Sequence, residues 1–330
     1  MGKEQSTIQS LKAVDNWIDV INANINGGVR TGFKSSRLKF GGSNVDIQRA
    51  GTATATPLQL PEAGLMTANT VIDFSQGAIT ASTETTHLAI QGEGFFLVGH
   101  ASMFDFNNVA GNIDFGCVRD PDTAGVTPKM LLTRDGEFRT DKYGFLVNNF
   151  GYYLVVADIN AGTNNFDYDG GSNYGDAGTQ MRLVYNDIDN PNGPVDTTGG
   201  QYPHGTQIYY LSDFLTQIVD PILGGGGGSA LVKITNGKQN LKFSQFGSTY
   251  YDFGFQMTAG NANNQIDPNI RMIQATTADA TILNKSLEAS NASMTQSVPE
   301  LSLAQKLFSA LTKVLQTTMT NTDAVLNLIR

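Results

Sequence analysis

The chain has 330 residues, enough for two or three domains, and a formal net charge of -9. That acidity argues against nucleic acid or anionic membrane as a partner. The single cysteine, Cys117, excludes an internal disulfide framework and a cysteine-only metal cluster. No stretch approaches the roughly 20 apolar residues of a membrane span, and no basic start leads into an apolar run. No membrane insertion and no cleaved secretory signal are therefore expected.

Residues 5 to 26 read as a helix. Ile8, Leu11, Val14, Ile18, Ile21 and Ile25 recur three and four apart, Trp17 widens the stripe, and Gly27 with Gly28 stops it. From there the texture changes, and 35 to 86 has no sustained helical period, which predicts extended segments. Leu88 to Val98 holds two apolar runs around Gly92-Glu93-Gly94, predicting a hairpin or bulged strand pair. Asp135-Gly136 then separates Leu131-Leu132-Thr133 from Phe138-Arg139-Thr140. Tyr143-Gly144 gives a second turn before the apolar runs at 145–147 and 152–156, so 131 to 155 reads as a β-meander.

Residues 157–250 are looser and polar, with a short helix expected near 208–220, a flexible break at Gly224–Gly228, and strand character returning near Leu231 and Tyr250. This stretch reads as an inserted, outward-facing β-rich domain. The expected division is an N-terminal helix in 1–34, the first part of a β-rich middle domain in 35–156, the insert in 157–250, a return to the middle domain in 251–286, and a C-terminal helix in 287–330. Thirty-six glycines with abundant Asn and Thr fit a turn-rich middle.

After Pro299 the chain contains neither glycine nor proline. Ala304, Phe308, Leu311, Leu315, Val325 and Ile329 recur at heptad steps, with Thr318 and Thr322 in register. A second stripe, Leu307, Leu311, Val314, Val325 and Leu328, runs beside them. Together they are wider than one partner helix covers, and the segment carries few charges, so this helix needs partners. The fold class expected is α+β, mainly β, with the terminal helices paired in a coiled-coil core layer. Pro299 would kink that helix or sit in its first turn, with Ser297 and Glu300 as a capping box.

No catalytic constellation emerges. His87, His100 and His204 have no metal-ligand spacing, and Cys117 reads as a buried, inert thiol. Gly92-Glu93-Gly94 is followed by Phe95-Phe96 rather than a helix, unlike a phosphate loop. Asp167-Tyr168-Asp169-Gly170 lacks the later acidic ligand of a calcium loop. Asn291-Ala292-Ser293 fits a glycosylation acceptor, a pattern short enough to arise by chance. The expectation is no enzyme, no cofactor and no metal.

Four separated stretches carry motifs that belong together. Ile18 to Asn24 followed by Thr31-Gly32-Phe33-Lys34 is the first. Phe74-Ser75-Gln76-Gly77 followed by Leu88-Ala89-Ile90-Gln91-Gly92-Glu93-Gly94-Phe95-Phe96 is the second. Thr133-Arg134-Asp135-Gly136 with Phe138, continuing through Gly144 to Val147 and Gly151-Tyr152, is the third. Leu287-Glu288-Ala289-Ser290-Asn291, ahead of the terminal helix, is the fourth. In this order the four resemble the bacterial flagellar rod and hook proteins. The order is specific where each motif alone is modest, and the match leaves 157 to 280 uncovered.

The resemblance implies a subunit that polymerises with itself, its terminal helices lining the inner wall of a helical tube and an inserted domain facing outward. It implies neighbouring rod, hook or junction proteins and an assembly cap as partners. It further implies export through the growing structure to an extracellular or periplasmic place in the flagellum. Phe74-Ser75-Gln76-Gly77 points to a hook or proximal-rod subunit rather than a distal-rod one, and the chain length favours a hook-like over a rod subunit. The competing reading is a related surface filament, or a binding or rod-associated protein, whose insert at 157–250 contacts a partner.

Overall fold

The computed structural model describes residues 2–42, 46–49, 58–60, 64–104, 129–157, 159–160, 165–166, 182–189, 208–216, 231–255 and 267–328. Cys117, His204, Ile329, the Asp167–Gly170 stretch and the Gly224–Gly228 run lie outside these residues. The chain mixes helices with many short strands and divides into two compact units. One comprises Met1–Val29, Lys34–Ser75 and Ser290–Arg330, the other Arg30–Phe33 and Gln76–Ala289.

In chain order the first unit begins with α1 (Gly2–Gly27), β1 (Ser36–Gly42), β2 (Asp46–Arg49), β3 (Leu58–Leu60) and β4 (Leu65–Ile72). The second contains β5 (Ile79–Ala81), β6 (Leu88–Gly92), β7 (Phe96–His100), β8 (Met130–Thr133), β9 (Arg139–Thr140), β10 (Leu146–Val147) and β11 (Tyr152–Val156). It continues with β12 (Ile159–Asn160), β13 (Asn165–Phe166), β14 (Arg182–Tyr185), β15 (Ile208–Tyr210), α2 (Leu211–Thr216), β16 (Val232–Asn236), β17 (Lys242–Ser244) and β18 (Gly247–Asp252). β19 (Arg271–Gln274), β20 (Ala280–Asn284) and β21 (Ser286–Glu288) complete it, and α3 (Met294–Leu328) returns to the first unit.

The helical unit is built as the apolar spacing dictates. Val14, Ile21 and Ala304 are buried at its centre, with Trp17, Ile18, Ile25, Leu65, Leu301 and Leu311 packed around them. Gly28 lies beside the side chain of Met294 while Val14 shares a cluster with Ala304, so α1 and α3 run antiparallel. β1 and β4 pair antiparallel, and Trp17 meets Phe40 of β1 edge-on, with ring centroids 5.5 Å apart. The Ser10 hydroxyl accepts from Leu65 N at 2.9 Å, tying β4 to α1. Pro299 lies inside α3 rather than in its first turn, because the helix starts earlier, with Gln296 N and Ser297 N both bonded to Ser293 O. The Ser297 hydroxyl donates to Ser293 O at 2.9 Å, so it does not cap the helix with Glu300.

The β unit is organised on a nine-stranded sheet whose main path is β15-β14-β11-β7-β8-β18-β17, with β10 and β9 added beside β11. All five residues of β11 and all four of β8 are buried. Strands covered on both faces lose the alternating pattern and read as continuous apolar runs. Leu211 and Phe214 of α2 join Phe96, Leu154, Val184 and Tyr250 in the core beneath this sheet. The strands of 157–250 enter it directly: β14 pairs with β11, and β18 pairs with β8.

Two turn signals are used differently from their sequence reading. Leu88 to Val98 is no hairpin, since β6 pairs with β20 while β7 pairs with β8 and β11. Asp135-Gly136 does not join paired strands either, because β8 pairs with β7 and β18 while β9 pairs with β10. Only 139–156 is a true meander. Gly136 is instead pressed against the backbone of Leu88, whose N–H donates to Gly136 O at 3.0 Å. A Cβ there would stand 1.6 Å from Leu88 O, so the glycine serves close approach rather than a hairpin turn.

Candidate functional site

Two constellations carry the residues singled out in the sequence. The first is the C-terminal helix. Of its 35 residues only Ser297 and Ala304 are buried. The face towards α1 uses Leu301, Ala304 and Leu311, with Leu315 half-buried further along. Beside it the second stripe lies open: Leu307 is 37% exposed, Val314 53%, Val325 57% and Leu328 87%. Phe308 is also exposed, and Leu303 adds to the same open surface. On α1, Val14 and Ile21 are buried while Leu11, Trp17, Ile18 and Ile25 are half-buried. α3 is nine residues longer than the 26-residue α1, and residues 321–328 are exposed throughout.

The hydroxyls of this helix turn inward on it. Ser309, Thr312, Thr317, Thr318, Thr320 and Thr322 each donate to the carbonyl four residues back, at 2.9 to 3.0 Å. Their donors are thereby satisfied without water, which lowers the cost of removing this surface from solvent. A long apolar stripe among self-satisfied polar residues is suited to association with other helices.

The second constellation, inside the β unit, draws the family-like motifs together. Glu288 is its centre: Oε1 accepts from Gly77 N at 2.9 Å, and Oε2 pairs with Arg134 Nη1 at 3.1 Å. The Glu288 backbone carbonyl accepts from Gly32 N at 2.7 Å. Arg134 Nη2 donates to Gly92 O at 2.7 Å, and its guanidinium lies 5.3 Å from the Phe95 ring centre. Gln76 spans the edge of β6, donating to Ile90 O and accepting from Gly92 N. Thr31 Oγ1 donates to Asp135 Oδ1 at 2.7 Å. Gly32 has φ +65°, and a Cβ there would stand 2.4 Å from the Arg134 carbonyl carbon, so glycine is required. Phe33, Gly94, Phe95 and Phe96 are buried, the last within the sheet's core.

The remaining motif residues make a separate junction in the helical unit. Asn291 Oδ1 accepts from Ser35 N at 2.6 Å, and Nδ2 donates to Asp73 O at 2.8 Å and to Ser75 O at 3.1 Å. The amide nitrogen that glycosylation would need is occupied. Lys34, fully buried, donates from Nζ to Ser75 O at 2.7 Å. Ser290 Oγ accepts from Ala292 N, and Phe74 is half-buried in the same segment.

Sequence reading gathered Gly32, Gly77, Gly92 and Asp135 as motif residues but missed Arg134 and Glu288 as their connectors. In sequence Arg134 stands beside Asp135 and Glu137, and Glu288 three residues after Lys285, so nothing local marks the two as partners. Burial lifts the Asp135 carboxyl above its ordinary range, against hydrogen bonds from Thr31, Glu137 N and Tyr250 that pull the other way. Among the described residues no group of three or more His, Cys, Asp or Glu could hold a metal. His100 Nδ1 meets Ser102 Oγ at 2.7 Å and caps a short helical turn, a structural use of the pair.

The relatives found by comparison are flagellar rod and hook proteins. The flagellar basal-body rod protein FlgG of Buchnera aphidicola subsp. Schizaphis graminum is 29% identical over 156 residues, covering 46% of this chain and 50% of that protein. The flagellar hook proteins FlgE of Brucella abortus biovar 1 and Brucella suis biovar 1 are each 28% identical over 156 residues, covering 47% of this chain and 31% of theirs. The match thus spans half of the rod protein and under a third of the hook proteins. No protein-family model matches. The crystal structure of Helicobacter pylori flagellar hook protein FlgE2 is similar over 32% of this chain and 21% of its own, with 23% identity and a TM-score of 0.18. The resemblance read from the motifs is borne out by the curated relatives. Rod and hook proteins match over the same length at nearly the same identity.

Proposed function

We propose that this chain is a structural subunit that polymerises helically into a tubular part of the bacterial flagellum, hook or rod, with its terminal helices as a coiled-coil layer lining the export channel. The observation that carries this reading is the open stripe Leu307, Val314, Val325 and Leu328 on α3, in a chain whose relatives are flagellar rod and hook proteins. Each of these side chains would contribute about 1 kcal/mol on losing its remaining exposure. Association costs about 4–15 kcal/mol in lost translational and rotational freedom. One stripe therefore does not hold a dimer firmly, whereas a subunit touching several neighbours in a lattice would be held. Assembly should be cooperative and need a nucleus, which an assembly cap or a neighbouring rod, hook or junction protein would supply. The place proposed is the extracellular or periplasmic part of the flagellum, reached by export. Outward exposure of the polar stretches within 157–250 belongs to the same proposal.

Electron microscopy of the purified chain at rising concentration, with and without preformed hook fragments as nuclei, tests the reading. Tubes are expected above a threshold concentration. The triple variant Leu307→Ser, Val314→Ser, Val325→Ser should keep the monomer's circular dichroism and form none. Tubes of undiminished yield from that variant would remove the helical layer from the proposal.

A further inference from the structure

The buried pair Arg134–Glu288, where the first and last segments of the β unit meet, points to a device for completing that unit. Side chains of Arg134 and Glu288 are 4% and 0% exposed. Burying a guanidinium, here that of Arg134, is costly unless it is paired and hydrogen-bonded. Its carboxylate comes from 154 positions later in the chain, and that same carboxylate holds Gly77 N, 211 positions earlier. Contacts of such separation form after local hairpins such as β17–β18, because loop closure must come first. Until β21 docks beside β5, Arg134 has either to stay hydrated or to enter an apolar site against Phe95 without its counter-charge. Keeping it hydrated withdraws the donor from Gly92 O, at the end of β6.

We infer that Glu288 is the closing charge of the β unit, so that this unit becomes compact only when its last strand has arrived from the C-terminal side. The Glu288 backbone adds the N-terminal side to the same event, since its carbonyl binds Gly32 N. The first and last segments of the unit, Arg30–Phe33 and β21, are thus fixed on one residue. Glu288 closes the unit in the single chain, whether or not that chain forms tubes.

The test uses the full chain in two forms. Glu288→Gln keeps the shape and a group able to accept from Gly77 N, but removes the charge. Arg134→Met with Glu288→Leu replaces both charges by apolar groups of similar size. Urea unfolding and amide hydrogen exchange are read for each. Glu288→Gln should lower the folding equilibrium constant about 100-fold or more and expose amides of β7, β8 and β11 together with those of β21. The double variant should regain at least about tenfold of that loss and recover protection in all four strands. Should Glu288→Gln fail to fold, a folded double variant supports the inference and an unfolded one overturns it. A loss under about tenfold, faster exchange confined to β5 and β21, or a double variant no better than the single one would overturn it too.

Discussion

Asp135 shows how one side chain can serve several segments at an electrostatic cost. It accepts from Thr31 Oγ1 at 2.7 Å, from Glu137 N at 3.2 Å and from Tyr250 Oη at 3.3 Å. Desolvation outweighs these bonds and raises its carboxyl pKa. A group raised in the folded state binds its proton more tightly there than in the unfolded chain. Its contribution is therefore complete below the ordinary carboxylate value of 3.8 and is lost as pH rises through the folded value. Asp279, lowered to about 2 chiefly by its bond to Lys233, acts oppositely and loses its contribution as pH falls from 3.8 through about 2. Asp135→Asn should flatten the stability profile on the mildly acidic side and leave the steep loss at lower pH unchanged. Urea midpoints measured from pH 7 down to pH 3 would check this, and a profile parallel to the parent's would contradict it.

On the scale of elements, α3 divides its apolar residues between two uses. Ala304 is fully buried where α3 meets α1, and Val14 opposite it is fully buried as well. No space remains for a larger side chain at that crossing, so Ala304→Leu should destabilise the helical unit by about 1–3 kcal/mol. Val314, one of the open residues, should accept serine with a change within about 0.5 kcal/mol in the monomer. Thermal melts of the two variants separate the packed stripe from the open one. Equal effects would mean that the two stripes are not distinct. Leu311 belongs to both stripes in sequence, yet it packs with the α1 cluster. A polar residue there would disturb the monomer's own fold and is a poor probe of assembly.

For the whole molecule, two units with separate cores imply two stabilities. The helical unit is centred on three buried apolar residues, Val14, Ile21 and Ala304, while the β unit has a far larger buried set. The helical unit should unfold first. The chain reports this without labels: its single tryptophan, Trp17, lies in the helical unit, and all 11 tyrosines fall between 143 and 251, in the β unit. Tryptophan emission should change at a lower urea concentration than the tyrosine near-ultraviolet dichroism. Coincident transitions would show one cooperative molecule instead. In an assembled tube the tryptophan transition should move up towards the other, because burial of the open stripe stabilises the helices.

Local spacing marked both terminal helices, the apolar stripes and the glycine stop after α1, because helical periodicity and caps are properties of neighbouring residues. It misplaced the start of the second helix, since the expected start at 287 falls in β21 and α3 begins at Met294. It also marked most strands, since runs such as Tyr152 to Val156 can only be buried. Tertiary structure decided which strands pair, because pairing depends on partners more than a hundred residues away. β18 joins β8 and β20 joins β6, and no turn signal encodes either choice. It also decided what the motifs are for. Arg134 and Glu288 look like ordinary surface charges in sequence, and only the fold brings them 3.1 Å apart with both side chains buried.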